Sequence, residues 1–121
     1  MLLLGIDIGT SSIKVSVTDA DTKKCVGSAQ YPETESVIIA SNPGWAEQSP
    51  DMWWEHVQSA ILKLHAQRIY NPLDIAAIGI AYQMHGLVMV DKEQQVLRNS
   101  IIWCDSRAVE IGNKAFKEIG K

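Results

Sequence analysis

The sequence predicts an α/β protein with a mixed sheet, an antiparallel three-strand meander followed by helix-linked strands. Three observations point there. Short apolar and alternating segments follow one another on tight turns at the start of the chain. A helix start signal at Ser49 precedes an amphipathic run, and apolar β-type segments return after it.

Taken in order, Leu2 to Ile8 is short, apolar and stopped by Gly9, the pattern of a buried strand. Ile13, Val15 and Val17 alternate with Ser12, Lys14, Ser16 and Thr18, the period of a half-buried strand. "DADTKK" is turn chemistry, and "CVGSAQYP" returns as a third strand. "ETESVIIASNPGWAEQ" reads as an irregular connection carrying a Pro-Gly turn. Ser49 then suits the N-cap, Pro50 the first helical position and Asp51 the positive helix end. Trp53, Val57, Ala60, Ile61 and Leu64 share one helix face, with Trp53 and Trp54 read as packing residues. "DIAAIGIAYQ" and "LVMVD" predict two further strands. "DSRAVEIGNKAFKEIG" predicts a second helix, packed through Val109, Phe116 and Ile119. Length predicts one domain, and no repeat, low-complexity tract or interdomain linker interrupts it.

Composition narrows the class. Hydrophobic content of 46% with 21% charged residues is that of an ordinary soluble globular protein. With 14 acidic against 11 basic residues and no basic cluster, nucleic-acid binding has little support. Cys25 and Cys104 lie far apart with no metal-ligand spacing, a usage that suits a reducing cytoplasm, although the two could still pair. The opening apolar run is short and broken by Asp7. Neither a signal peptide nor a membrane span is expected, and the localisation expected is cytoplasmic.

Asp7 is the residue that asks for an explanation, because a carboxylate at the end of an apolar strand needs a partner. It either caps the turn at Gly9-Thr10 or serves a ligand. For a ligand, Gly9 lets backbone approach, while Thr10, Ser11 and Ser12 supply hydroxyls and N–H groups. Such a turn can hold phosphate oxygens, with Asp7 facing an accompanying Mg²⁺ or its water and Lys14 balancing phosphate charge. Walker and dinucleotide spacings are absent.

"GIDIGTSSIKVSVTD" resembles the first phosphate-binding hairpin of the actin, hexokinase and Hsp70 ATPase superfamily. "GIAYQMHGLVMVD" followed by "IIWCDSRA", with "PGWAEQSPDMWWE" before them, is similar to the FGGY carbohydrate kinases, most of all their xylulokinase branch. The resemblance spans the whole chain. It implies a ribonuclease H-like fold, ATP and Mg²⁺ as cofactors, and a sugar substrate, a ketopentose such as D-xylulose first. It assigns Asp7 a catalytic and metal-binding part, and the phosphates to Gly9, Thr10, Ser11, Ser12 and Lys14.

The same resemblance places Gln83, Met84 and His85 at the sugar, with Trp103 and Asp105 as further substrate contacts. Each has a plainer reading. His85 can satisfy a strand end, Gly86 can be a β-bulge, and Trp103 can be a buried core indole. Asp105 and Arg107 can bind hydroxyls or pair with each other. Cys104 receives no role. Family members have two similar lobes, and their general base and adenosine site come downstream. The chain is therefore expected to be the N-terminal part of the first lobe, inactive alone, with room for a homodimer of the complete protein. Two rivals stay open: an ATP-driven conformational protein of the actin or Hsp70 kind, and a non-catalytic sugar-sensing module.

Overall fold

Along the chain the elements are β1 (Leu2–Ile8), β2 (Ile13–Asp19), β3 (Lys24–Tyr31), β4 (Glu47–Gln48), α1 (Pro50–His65), a 3-10 turn (Pro72–Asp74), β5 (Ile75–Tyr82), β6 (Ser100–Ile101) and α2 (Val109–Ile119). The computed structural model describes residues 1–120. They form two compact units where length alone predicts one. The first is Met1–Val37 with Pro50–Met84; the second is Ile38–Ser49 with the chain from His85 onward.

In the first unit the expected meander forms, β1 antiparallel to β2 and β2 to β3. β5 then adds in parallel to the other side of β1, giving the mixed order β3-β2-β1-β5. Alternation decides the faces. Ile13, Val15 and Val17 of β2 join Leu4 and Ile6 of β1 under Val57, Ala60 and Leu64 of α1, all buried. Ile61 packs against this core from its edge. Helix α1 starts at Pro50 with Asp51 in its first turn and has Lys63 in its last, charges matched to the helix dipole. Lys63 also ties the helix end to the β3 side, donating to the Gln30 carbonyl at 3.2 Å and pairing with Glu33. At the β2–β3 turn, N–H groups of Asp21 and Thr22 donate to the Asp19 carboxylate and hold its pKa below the ordinary value.

Helix α1 packs mainly over β2 and β3 and less over β1, and of β5 it is Ile75 at the strand start that joins the core. Ile78, Ile80 and Tyr82, in register with Leu4, Ile6 and Ile8, are consequently exposed. Trp54 departs from its expected packing role. It is 64% exposed, because it follows Trp53 by one residue and turns away from the apolar stripe.

The second unit is built differently. Four short segments lie side by side through Ile39↔Glu47, Glu47↔Ile101 and Leu87↔Ile101 pairings. Its buried residues are Ala46, Glu47, Gln48, Ser100 and Ile102. "LVMVD" does not form the expected strand. It turns back through Asp91, whose carboxylate accepts from the N–H groups of Glu93 and Gln95, and the segment makes isolated bridges, Leu87↔Ile101 and Val90↔Val96, in place of a strand. Helix α2 forms, but Val109, Phe116 and Ile119 do not pack as expected; all three are exposed.

Candidate functional site

The glycine-hydroxyl turn joins β1 to β2 and occupies residues 9–12. Glycine is required at its first position by space: a Cβ on Gly9 would come within 2.9 Å of the Ser12 carbonyl oxygen. Asp7 stands two residues before the turn. It is exposed, not buried, because strand alternation sends it to the sheet face opposite α1. Lys14 is its direct cross-strand neighbour on β2, so a carboxylate and an ammonium flank the turn on one face. With Gly5, Ser16, Ser28 and Gln30 they line a broad open concavity.

Three hydrogen bonds hold the turn and its flank. The Thr10 hydroxyl donates to Gln83 Oε1 at 2.8 Å, and the Gln83 N–H donates to the Ile8 carbonyl at 3.0 Å. Gln83, expected at the sugar, therefore holds the glycine-hydroxyl turn from the neighbouring strand end. From the other side the Ser36 N–H donates to the Ser11 carbonyl at 2.7 Å. Ser36 is buried, with its Oγ 3.3 Å from His56 Nδ1, and Tyr31 stands edge-on to that imidazole. Sequence reading missed Ser36 and His56. One sits in an irregular connection and the other among helix residues, and no local pattern links them.

Among the described residues no three His, Cys, Asp or Glu side chains cluster as a metal site. Asp7 is then a single carboxylate. That donor suits Mg²⁺, which keeps several waters and is held by one or two carboxylates together with substrate phosphates.

Met84 is exposed at the end of the first unit. His85 opens the second and has φ +65°, the left-handed region that a side chain with a Cβ seldom adopts. Gly86 follows, where an added Cβ would meet Ser100 Oγ at 3.5 Å, an ordinary contact, so packing does not demand glycine there. The Leu87 N–H then donates to the Ile101 carbonyl at 2.9 Å, which seats this stretch beside β6. Trp103 lies two residues beyond β6 and is 59% exposed, so it is not a core indole.

Asp105 takes the pairing alternative. Its carboxylate accepts from Arg107 Nε and Nη2, from the Arg107 N–H, and from the Ala46 N–H at 2.6 Å. The guanidinium foremost, then the two N–H groups, hold the carboxyl well below the usual carboxylate range against the opposing effect of burial. Arg107 is raised by the same contact and by Glu47, and lies 3.8 Å from the Trp45 ring centroid. Asp105 is thus engaged within the protein, and Glu47 is a member of its network that sequence reading left without a role.

Comparison with known proteins decides the relationship. The model of the N-terminal domain of the FGGY family of carbohydrate kinases matches residues 2–121. The chain belongs to the FGGY family of carbohydrate kinases. It is 36% identical over 110 residues to the xylulose kinase of Escherichia coli K12, covering 90% of this chain and 21% of that protein. It is 37% identical over 106 residues to the xylulose kinase of Bacillus subtilis 168, covering 87% and 20%. The crystal structure of a xyloylose kinase from Brucella ovis superposes with a TM-score of 0.82 at 35% identity, covering 98% of this chain and 25% of that one. The fold is that of the actin and hexokinase ATPases. This FGGY chain spans about a fifth of the length of the curated relatives it matches.

Proposed function

We propose that the complete protein carrying this chain is an ATP-dependent sugar kinase that phosphorylates a hydroxyl of a ketopentose, D-xylulose first. The observation that carries the reading is the Thr10–Gln83 hydrogen bond, which joins the glycine-hydroxyl turn to the start of the QMHG stretch. MgATP supplies the γ-phosphoryl group. Backbone N–H groups of the Thr10–Ser11–Ser12 turn and the hydroxyls of Ser11 and Ser12 bind phosphate oxygens, the Thr10 hydroxyl being given to Gln83, and Lys14 offsets their charge. Asp7 holds the metal or its water. His85 bonds a sugar hydroxyl, its left-handed backbone being the kind of local strain that gathers at ligand sites. Met84 offers an adaptable apolar contact, and Trp103 packs on the apolar face of the sugar. Catalysis is positioning with charge neutralisation, as in phosphoryl transfer generally. The base that takes the sugar proton and the adenosine contacts lie outside these residues in this reading. The protein works in the cytoplasm.

The test is ADP release by the complete protein with D-xylulose, D-ribulose, gluconate and glycerol. D-Xylulose should give the highest kcat/KM. Asp7→Asn should lower kcat roughly a hundredfold or more, as expected when part of a metal-phosphate clamp is lost. Absence of sugar-dependent ADP release, or near-normal kcat in Asp7→Asn, would overturn the assignment.

A further inference from the structure

Glu47 sits in β4 with its side chain only 11% exposed. One of its carboxylate oxygens, Oε1, accepts from Arg98 Nη2 at 2.5 Å and from Arg107 Nη2 at 2.7 Å. Those two arginines bracket the stretch that contains β6 and Trp103. A single acceptor therefore ties both ends of that stretch to β4. Arg107 is gripped from two more directions, by the Asp105 carboxylate, itself 3% exposed, and by the face of Trp45. Asp105 returns the connection to the β4 side through the Ala46 N–H, and the Ile102 N–H donates to the Ala46 carbonyl at 3.1 Å. At Gly44, φ is +78°, and its carbonyl accepts from the Ser106 N–H at 2.8 Å and from the Ser106 hydroxyl at 3.0 Å, which brings the two backbones together there.

Two carboxylates meet two guanidiniums, and the cluster is electrically neutral. Neutrality removes the penalty of an unpaired buried charge, but desolvation still offsets most of the attraction. What such a cluster contributes best is geometry: bidentate and shared hydrogen bonds tolerate few alternative arrangements. Here geometry is scarce otherwise, since among the described residues of this unit only Ala46 and Ile102 are buried and apolar.

We propose that Glu47 is a positioning residue for the sugar site. It clamps the Arg98–Arg107 stretch, sets the placement of the Trp103 indole, and so governs sugar affinity without touching the sugar. This rests on the sugar-site reading above. The experiment is initial-rate kinetics on the complete protein, with D-xylulose and MgATP varied separately, for wild type, Glu47→Gln, Glu47→Asp and Arg98→Gln. Glu47→Gln should raise the sugar KM about tenfold or more, since displacement of a positioning group by about 1 Å can cost up to a hundredfold. The MgATP KM should stay within about twofold, Glu47→Asp should recover part of the loss, and Arg98→Gln should show a smaller rise because Arg107 remains. An unchanged sugar KM in Glu47→Gln overturns the proposal. So does a rise in both KM values together with a lower melting temperature, the mark of general destabilisation. If Glu47→Gln fails to fold, Arg98→Gln decides: a sugar-specific rise supports the clamp, and none overturns it. Wild-type protein that phosphorylates no sugar would instead overturn the kinase reading, and the clamp with it.

Discussion

The sheet-and-helix unit buries eight apolar side chains from β1, β2 and α1 in one cluster, whereas the unit around β4 and β6 buries Glu47, Gln48 and Ser100 beside only two apolar residues. The first is held by removal of apolar surface from water, a non-directional force that accepts many sequences of the right pattern. The second is held by directional bonds between specific charged partners. Stability built the first way is large and tolerant. Order built the second way is smaller in energy and exacting in geometry.

The contrast breaks most visibly in the first unit. Leu64 is fully buried between α1 and the sheet, so Leu64→Ala should cost about 2–5 kcal/mol of stability. Thermal and urea unfolding of the complete protein would register it, with sugar and MgATP KM values unaffected below the transition. A loss under about 1 kcal/mol would mean that the helix is not held by this core.

Next comes acid. The Asp105 carboxyl is held below its ordinary value of 3.8, chiefly by Arg107. A group with a depressed folded pKa stabilises fully above its unfolded value, and that contribution drains away as pH falls toward the folded value. The second unit should therefore weaken from about pH 4 downward, while Asp105→Asn, already weaker at neutral pH, should lose that part of the slope. Hydrogen-exchange protection of the Ile102 amide, corrected for intrinsic rates, reads the difference. Parallel slopes in variant and wild type would remove Asp105 from the account.

The smallest effect sharpens the comparison. Thr10→Val removes one partly buried hydrogen bond to Gln83 and should lower kcat/KM by about 1 kcal/mol, or roughly fivefold. A double-mutant cycle with Gln83→Leu should be non-additive by most of that amount. Additive losses would mean that the two residues act separately.

Legibility in the sequence follows the same division. β1, β2, β3 and the start of α1 were readable because period two, period 3.6 and N-cap chemistry are local signals. The turn at Gly9 was readable for the same reason. Trp54 was misjudged because two adjacent indoles cannot share one helix face. "LVMVD" failed because Asp91 and the residues after it make a tight turn, and apolar composition alone does not report pairing. Val109, Phe116 and Ile119 have the spacing of a packed face, but spacing names no partner to pack against. The largest omission was Glu47. Its arginine partners lie far along the sequence, and an acid in "WAEQ" gives no local sign that it will be buried between them.

His85 combines two demands that chemistry seldom places on one residue, an imidazole and a left-handed backbone. In a library of all twenty residues at this position, replacements should sort by backbone tolerance before they sort by size or charge. Glycine and asparagine relieve the torsional cost and should enrich under selection for folded protein alone. Selection for sugar phosphorylation should reverse that ranking in favour of histidine. A position where thermal robustness and turnover choose different residues is one where stability is exchanged for activity, which neither selection would expose by itself.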